Sequence, residues 1–200
     1  GFTHIYGMIN GIQGLLEDHF MDLGTTFNSE EKIDALKHSP AMYLGSCRYK
    51  LPTVSDDKDT YDLLFKKFND LEITDFFYIG GNDSMDTVAK LAAYGETINS
   101  PIHFIGIPKT IDNDLMGTDH TPGFGSAAKY VASSMLEIAY DSSIYKLDAI
   151  TIVEIMGRNA GWLTAASALA RTECNDAPDL IYLPEVVFDK ERFLKDIEEK

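Results

Sequence analysis

The chain has 200 residues, of which 44% are apolar and 24% charged, and this balance excludes an intrinsically disordered protein. Its formal net charge of −15 argues against nucleic acid or an anionic membrane as a partner, because such binding needs clustered Lys and Arg. A small phosphorylated ligand is still compatible, since it needs only a few local cations, helix N-termini or a bound Mg²⁺. Cys47 and Cys174 have neither disulfide nor zinc spacing, which predicts reduced thiols in a cytoplasmic protein.

The N-terminal part of the chain predicts helices that pack on a sheet. The chain begins at Gly1 rather than at a methionine, and its opening segment is already patterned, which indicates a fragment or a processed chain. Asn28 to Glu31 has a capping-box arrangement at the start of a short helix that runs to about His38. Apolar residues at three- and four-residue spacing predict an amphipathic helix over residues 57–71. These apolar positions are Tyr61, Leu64, Phe65, Phe68 and Leu71.

From residue 73 onward, strands and helices alternate. Apolar runs predict strands at residues 73–79, 102–107, 149–155 and 180–183. Helical periodicity follows each strand, at about 85–92, 127–138, 159–171 and from 189 onward. This alternation predicts an α/β fold with a mostly parallel sheet and helices on both faces, in Rossmann-like layers.

Polar residues occupy the carboxyl end of every predicted strand. The four ends read Gly80-Gly-Asn-Asp-Ser84, Pro108-Lys-Thr-Ile-Asp-Asn-Asp114, Met156-Gly-Arg158 and Pro184-Glu185. Ligands of open α/β sheets bind at these ends. Glycine lets the backbone approach a ligand, and helix N-termini and arginine bind phosphate. The repeated pattern favours an enzyme with an anionic substrate over an Asx-rich surface turn.

A competing hypothesis is a dinucleotide-dependent oxidoreductase. Gly123-Phe-Gly125-Ser-Ala-Ala128 fits the loose G-x-G-x-x-A fingerprint, with Asp141 and Asp148 near the spacing of a ribose-binding acid. That fingerprint should follow a strand directly, whereas here a polar loop separates it from Ile107. Because Pro122 is also a helix start signal, this hypothesis is the weaker one.

Four motifs together resemble the phosphofructokinase family: GGNDS, PKTIDND, VEIMGRNAGW and LPEVVF, in that order and at the family's spacing. The resemblance extends from about His4 to the end of the chain and implies a phosphofructokinase-type fold. It also implies transfer of a phosphoryl group to the 1-hydroxyl of fructose 6-phosphate, with Mg²⁺, in an intact protein that is a homo-oligomer.

The same resemblance implies that the fold is incomplete at both ends. Residues 1–200 would be a partial phosphofructokinase domain. The family's glycine-rich donor loop should precede Gly1, and its distal sugar-phosphate site should follow Lys200. We therefore expect the fragment alone to be inactive or nearly so.

Site residues carry over from the family position by position. Asp112 matches the proton acceptor that draws the proton from the sugar hydroxyl. Lys109 and Arg158 are placed to stabilise charge during transfer. The substrate-binding positions that match are Thr110, Ile111, Asp112, Met156, Gly157, Arg158 and Glu185.

Two positions indicate which phosphoryl donor the family member uses. Relatives that use ATP typically have glycines where this chain has Asp83 and Lys109, and relatives that use pyrophosphate typically have Asp and Lys. A carboxylate at Asp83 would repel the α-phosphate of a nucleotide. Gly81 and Arg48, the latter within Leu44-Gly-Ser-Cys-Arg48, match positions that line the donor pocket. The resemblance thus implies pyrophosphate as donor, with ATP as the alternative.

Two departures from the family pattern leave questions open. Asn82 stands where the family usually has a magnesium-linked aspartate, so the metal would rely on donor oxygens, water, the Asn82 amide or nearby Asp83 and Asp114. Ala149 stands where many relatives have an arginine that reaches a neighbouring subunit. These departures keep a non-catalytic binding paralogue as a third hypothesis, although Asp112 and Arg158 argue against it.

Overall fold

The computed structural model describes residues 1–146 and 149–200, which form two compact units, Gly1–Ile107 and Pro108–Lys200. The first unit opens with strand β1 (Tyr6–Met8), helix α1 (Gly11–Leu16) and strand β2 (Phe20–Asp22). The two strands pair antiparallel, with Tyr6 opposite Asp22. Two short helices follow, α2 (Leu23–Thr26) and α3 (Glu30–Lys37).

The predicted helix start near Asn28 is confirmed, with a different cap. The Ser29 hydroxyl accepts a hydrogen bond from the Lys32 backbone N–H, at 3.4 Å. Because Lys32 is the third residue of the helix, the reciprocal glutamate bond of a capping box does not form there. The Lys32 ammonium instead donates to the Asn28 side-chain oxygen, at 2.9 Å.

The α/β layers of the first unit match the prediction closely. Helix α4 (Lys58–Asp70) precedes strand β3 (Asp75–Gly80), and helix α5 (Asn82–Thr97) connects β3 to strand β4 (His103–Pro108). Strands β3 and β4 are hydrogen-bonded neighbours in a parallel sheet. A right-handed crossover through a helix is the usual way to join parallel neighbours, so the α/β class is confirmed.

The core of the first unit forms where α4 and α5 cover this sheet. Gly106 in β4 lets α5 approach closely, because a Cβ there would lie 2.8 Å from the Met85 sulfur. Gly95 in α5 does the same against Phe104, at 3.2 Å. The buried cluster consists of Ile12, Leu15, Leu51, Tyr61, Leu64, Phe65, Phe68, Leu91, Tyr94 and Ile102.

The second unit contains helices α6 (Phe124–Ser143), α7 (Trp162–Ala166) and α8 (Lys190–Glu198), and a 3₁₀ turn at Ser167–Ala170. A small cluster of Ala128, Leu163 and Ala166 joins α6 to α7. The predicted helix over 159–171 begins later, at Trp162, and tightens into the 3₁₀ turn before Arg171. The other two predicted helices of this unit are confirmed.

The strands predicted at residues 149–155 and 180–183 are wrong for this chain. No strand pairs with either segment in the parts of the chain that the structure describes. Parallel strands need a neighbour for their hydrogen bonds and cover on both faces. Here Ile150 and Ile152 are 67% and 76% exposed, so the apolar pattern is present without the burial that would make a strand stable.

Among residues 1–146 and 149–200, none of the helices is both long enough and apolar enough to cross a bilayer.

Adjacent leucines in α4 test the packing of this core. Leu64 is fully buried, whereas Leu63 is 43% exposed on the same helix. We expect Leu64→Ala to lower the free energy of unfolding by about 2–5 kcal/mol through lost burial and a cavity. Leu63→Ala should stay within about 0.5 kcal/mol of the parent. Urea unfolding followed by circular dichroism measures both, and equal losses in the two variants would contradict the assigned face.

Candidate active site

In the first unit, two of the predicted donor residues, Gly81 and Asp83, lie at the junction of β3 and α5. Gly81 is the N-cap of α5, and its carbonyl accepts hydrogen bonds from the backbone N–H groups of Ser84 and Met85, both at 3.0 Å. Asn82 begins the helix, and Asp83 lies in its first turn. A helix N-terminus attracts negative charge. The first turn of α5 is therefore electropositive, and Asp83 already places one carboxylate there.

Glycine at position 80 is required by the same turn. A Cβ on Gly80 would lie 2.1 Å from the Ser84 hydroxyl oxygen and 2.6 Å from its Cβ. A larger residue would therefore displace the first turn of α5. The strand end is thus shaped by close contact between the backbone and Ser84.

Arg48 lies in an irregular segment that Asn10 holds in place. The Asn10 amide donates to the Ser46 carbonyl oxygen at 2.9 Å, and the Asn10 backbone N–H donates to the Leu44 carbonyl oxygen at 2.7 Å. Arg48 itself is exposed and has no ion-pair or hydrogen-bond partner among the described residues. Its guanidinium is available to bind an anion.

Tyr78 is a residue that sequence analysis missed in the first unit. It lies on β3, and burial, with the nearby Cys47 thiol as the next cause, raises the pKa of its hydroxyl. A Cβ on Gly11 would lie 3.4 Å from the Cys47 sulfur and 3.5 Å from the Tyr78 hydroxyl oxygen. Tyr78 therefore packs the segment before Arg48 against the strand that leads to Asp83. An aromatic residue within an apolar strand gave no signal of this role.

In the second unit, the loop over residues 109–123 presents the predicted acceptor residues, and we name it the catalytic loop after that predicted role. The Asp112 backbone N–H donates to the Thr110 hydroxyl oxygen at 3.1 Å. The Oδ1 atom of Asp112 is buried and has no hydrogen-bond partner among the described residues. Buried polar atoms are nearly always paired, so an unpaired carboxylate oxygen calls for a functional explanation.

Asn113 and Thr121 close the catalytic loop, and sequence analysis gave neither a role. Asn113 is buried with a positive φ of 58°, and its amide donates to the Asp119 carbonyl oxygen at 3.0 Å. The Thr121 backbone N–H donates to the Asn113 side-chain oxygen at 2.9 Å. Asn tolerates the left-handed region better than most residues, so Ile-Asp-Asn-Asp carried a signal for Asn113. No signal marked Thr121.

Met156, Gly157 and Arg158 lie in an irregular segment of the second unit, in which Met156 and Arg158 are exposed. Gly157 has φ of 145°, and a Cβ there would lie 2.4 Å from the Ala160 carbonyl oxygen. Only glycine fits this conformation. Arg158 and Lys109 are both exposed, and neither has an ion-pair partner within the described ranges. A free guanidinium and ammonium in a strongly acidic chain favour an anionic ligand.

Glu185 is engaged with the backbone at the start of α7. One carboxylate oxygen accepts a hydrogen bond from the Gly161 N–H at 2.7 Å. Gly161 is the N-cap of α7, so Glu185 satisfies a donor that the helix leaves unpaired. A sugar hydroxyl would have to share this carboxylate. The predicted role of Glu185 in substrate binding stays a prediction.

The loop is bordered by a cleft of about 550 Å³ whose walls include Asp114, Asp119, His120 and Trp162. Ile111 and Met156 instead line an apolar groove of about 360 Å³ beside α6. The two predicted metal ligands belong to different units, Asn82 to the first and Asp114 to the second. Among the described residues, no group of three His, Cys, Asp or Glu side chains forms a metal site.

The dinucleotide fingerprint has the wrong context in the structure. Helix α6 begins at Phe124 with Gly123 as its N-cap, and the catalytic loop separates it from the end of β4 at Pro108. A dinucleotide fingerprint requires a direct turn from strand to helix. Asp141 lies near the end of α6, and Asp148 lies outside the described residues.

Comparison with known proteins decides the family. The family model "Phosphofructokinase" matches residues 1–200. The chain belongs to the phosphofructokinase family. The pyrophosphate--fructose 6-phosphate 1-phosphotransferase of Methylococcus capsulatus is 43% identical over 198 residues, which are 98% of this chain and 47% of the relative. An ATP-dependent 6-phosphofructokinase of Hamiltonella defensa is more distant, at 31% identity over 96% of this chain and 53% of the relative.

A solved structure supports the fold. The crystal structure of the pyrophosphate-dependent phosphofructokinase from Marinobacter aquaeolei superposes with a TM-score of 0.84 at 41% identity. The match covers 99% of this chain and 48% of that chain. The phosphofructokinase-type fold is therefore confirmed, and the chain spans about half the length of the curated relatives it matches.

Gly161 tests the contact that engages Glu185. A Cβ at this position would lie 2.7 Å from a Glu185 carboxylate oxygen and 2.9 Å from the Pro184 ring. We expect Gly161→Ala to lower the free energy of unfolding by about 1–3 kcal/mol, because the overpacked segment must move. Gly125→Ala is the matched control, since nothing lies within 4 Å of its Cβ.

Gly125 lies in α6, where alanine is the better helix former, so Gly125→Ala should leave stability unchanged or raise it by up to about 1 kcal/mol. Chemical denaturation of the two variants and the parent gives the comparison. A Gly161→Ala protein as stable as Gly125→Ala would show that the 183–185 segment does not pack on α7 as described.

Proposed function

We propose that the full-length protein transfers a phosphoryl group from pyrophosphate to the 1-hydroxyl of fructose 6-phosphate, giving fructose 1,6-bisphosphate and phosphate. The observation that carries the proposal is the buried, unpartnered Oδ1 of Asp112, on a loop whose sequence matches the family's catalytic run. A general base needs a free acceptor within hydrogen-bond reach of the proton it removes. Asp112 has that free acceptor among the described residues.

The chemistry follows from this carboxylate. The 1-hydroxyl oxygen attacks a phosphorus atom of pyrophosphate while Asp112 takes the hydroxyl proton. The bond from that phosphorus to the bridging oxygen breaks, and phosphate leaves with the electron pair. Alignment and charge stabilisation dominate such transfers. Lys109, Arg158 and Arg48, three basic side chains without partners in the described chain, are our candidates to stabilise the charge.

The residue types at two positions support pyrophosphate as the donor. Asp83 places a carboxylate in the first turn of α5, where the α-phosphate of a nucleotide would otherwise meet the helix N-terminus. Lys109 follows β4 directly and supplies an exposed point charge. Relatives at 42–45% identity carry the pyrophosphate-dependent name. We propose ATP only as the alternative donor.

The proposed site offers Mg²⁺ few ligands from the protein. Mg²⁺ prefers oxygen ligands and usually takes one or two from the protein, with the rest from water and substrate phosphates. Asn82 and Asp114 each offer one oxygen-bearing side chain, and we propose each of them separately as a candidate protein ligand. When bound, the metal would neutralise charge on the pyrophosphate oxygens. We also propose a cytoplasmic homo-oligomer, in keeping with the family.

A donor assay on the full-length protein tests the proposal. Fructose 6-phosphate and Mg²⁺ are supplied with pyrophosphate or with ATP, and fructose 1,6-bisphosphate is measured. We expect product with pyrophosphate and little with ATP, and we expect Asp112→Asn to lower kcat by about 10²- to 10⁴-fold. Product with ATP alone would reverse the donor assignment. Product with neither donor would favour the non-catalytic paralogue.

A paired substitution tests donor selection separately. Asp83→Gly together with Lys109→Gly removes both charges that distinguish this chain from ATP-using relatives. We expect kcat/KM for pyrophosphate to fall at least about tenfold, roughly the value of one charge-assisted contact, while ATP use rises from its baseline. Lys37→Gly is a suitable charge control, because Lys37 is exposed on α3. Unchanged pyrophosphate use in the pair would mean that neither position selects the donor.

A further inference from the structure

We propose that Thr121 is a positioning residue for the Asp112 carboxylate, acting through the backbone of the catalytic loop. This inference rests on the proposed function, in which Asp112 is the proton acceptor. Thr121 lies nine positions after Asp112 in sequence, directly before the Pro122-Gly123 start of α6. It is only 3% exposed, so its polar groups must find partners within the protein.

The hydroxyl and the backbone N–H of Thr121 both bond to residues that flank Asp112. Its hydroxyl donates to the Thr110 carbonyl oxygen, two residues before the carboxylate. Its backbone N–H donates to the Asn113 side-chain oxygen at 2.9 Å, one residue after it. A single residue therefore bonds to the backbone before Asp112 and to the side chain of the residue after it.

The bonds continue on both sides of this bridge. The carbonyl oxygen of Thr110 is hydrogen-bonded to Thr121. The hydroxyl of Thr110 accepts a hydrogen bond from the Asp112 backbone N–H at 3.1 Å. Asn113 is held in a left-handed conformation, at φ of 58°, while its amide donates to the Asp119 carbonyl oxygen at 3.0 Å. The loop is thus closed by hydrogen bonds through Thr110, Asn113 and Thr121.

The Asp112 carboxylate has no such bond of its own. Its Oδ1 is buried and unpartnered within the described residues, so its direction is set by the backbone from which it projects. A misplacement of about 1 Å can cost about a hundredfold in rate. Loss of the Thr121 hydroxyl would release the Thr110 carbonyl and let Asp112 drift from the sugar hydroxyl.

Isosteric substitution separates the hydroxyl from the shape of the side chain. Thr121→Val keeps the β-branched shape and removes the donor, and Thr121→Ser keeps the donor. In the full-length protein we expect Thr121→Val to lower kcat about 10- to 100-fold, with KM for fructose 6-phosphate and pyrophosphate within about threefold. Thr121→Ser should recover most of the lost kcat. Turnover by Thr121→Val within twofold of the parent, or equal loss in both variants, would overturn the inference.

A double-mutant cycle with Asp112→Asn distinguishes positioning from general destabilisation. If Thr121 acts through Asp112, Thr121→Val should lower kcat further by less than about twofold once Asp112 is Asn. An additive loss would mean that Thr121 acts elsewhere. Thermal midpoints identify a variant that fails to fold. If Thr121→Val does not fold, Asn113→Gly replaces it, because glycine accepts the positive φ and removes the side-chain oxygen that binds the Thr121 N–H. The same changes in kcat and KM are then expected.

The outcomes for this inference and for the proposed function are distinct. An active parent with an unaffected Thr121→Val variant overturns the positioning role alone. A parent that makes no product with either donor overturns the proposed function and, with it, the role of Thr121.

Discussion

The hydrogen bonds that close the catalytic loop are the interaction on which the site depends. Two residues of this loop, Asn113 and Thr121, are buried, and buried polar groups must find partners because water does not reach them. Thr121 and Asn113 supply those partners from within the loop. Among the buried side-chain atoms that the structure describes, the Oδ1 of Asp112 is left unpaired. The bonds that hold the loop therefore leave a carboxylate oxygen of Asp112 free to accept a proton.

The candidate site residues also include basic side chains that have no ion-pair partner among the described residues. The chain carries a formal net charge of −15, so basic side chains have many carboxylates with which they could pair. Lys58, Lys67 and Lys90 do so. Arg48, Lys109 and Arg158 have no ion-pair partner in the ranges the structure describes, and all three lie within segments that resemble the family. Unpaired cations in an acidic chain retain their full attraction for a phosphate, because no internal carboxylate competes for them.

Sequence predicted what local periodicity and family motifs encode. The apolar spacing of residues 57–71 gave helix α4, since one face of that helix is buried. The strand predicted from the apolar run at 149–155 is wrong. A strand also needs a neighbouring strand to pair with, and that pairing depends on tertiary structure. The family motifs located Asp112 and Thr110. They could not locate Thr121, since its bond to Thr110 spans eleven positions and involves a backbone carbonyl that carries no sequence signal.

The N-terminus of α5 explains why one carboxylate can change the donor. A free helix N-terminus carries roughly half a positive charge and binds a phosphate directly. Asp83 in its first turn already supplies an anion there, so a long polyphosphate would bring a second negative charge to the same place. A short donor avoids that encounter if its charge is met by separate cations such as Arg48 and Lys109. Under the proposed function, Asp83 therefore acts chiefly by excluding the nucleotide, and the attraction for pyrophosphate comes from the basic side chains that the fold leaves unpaired.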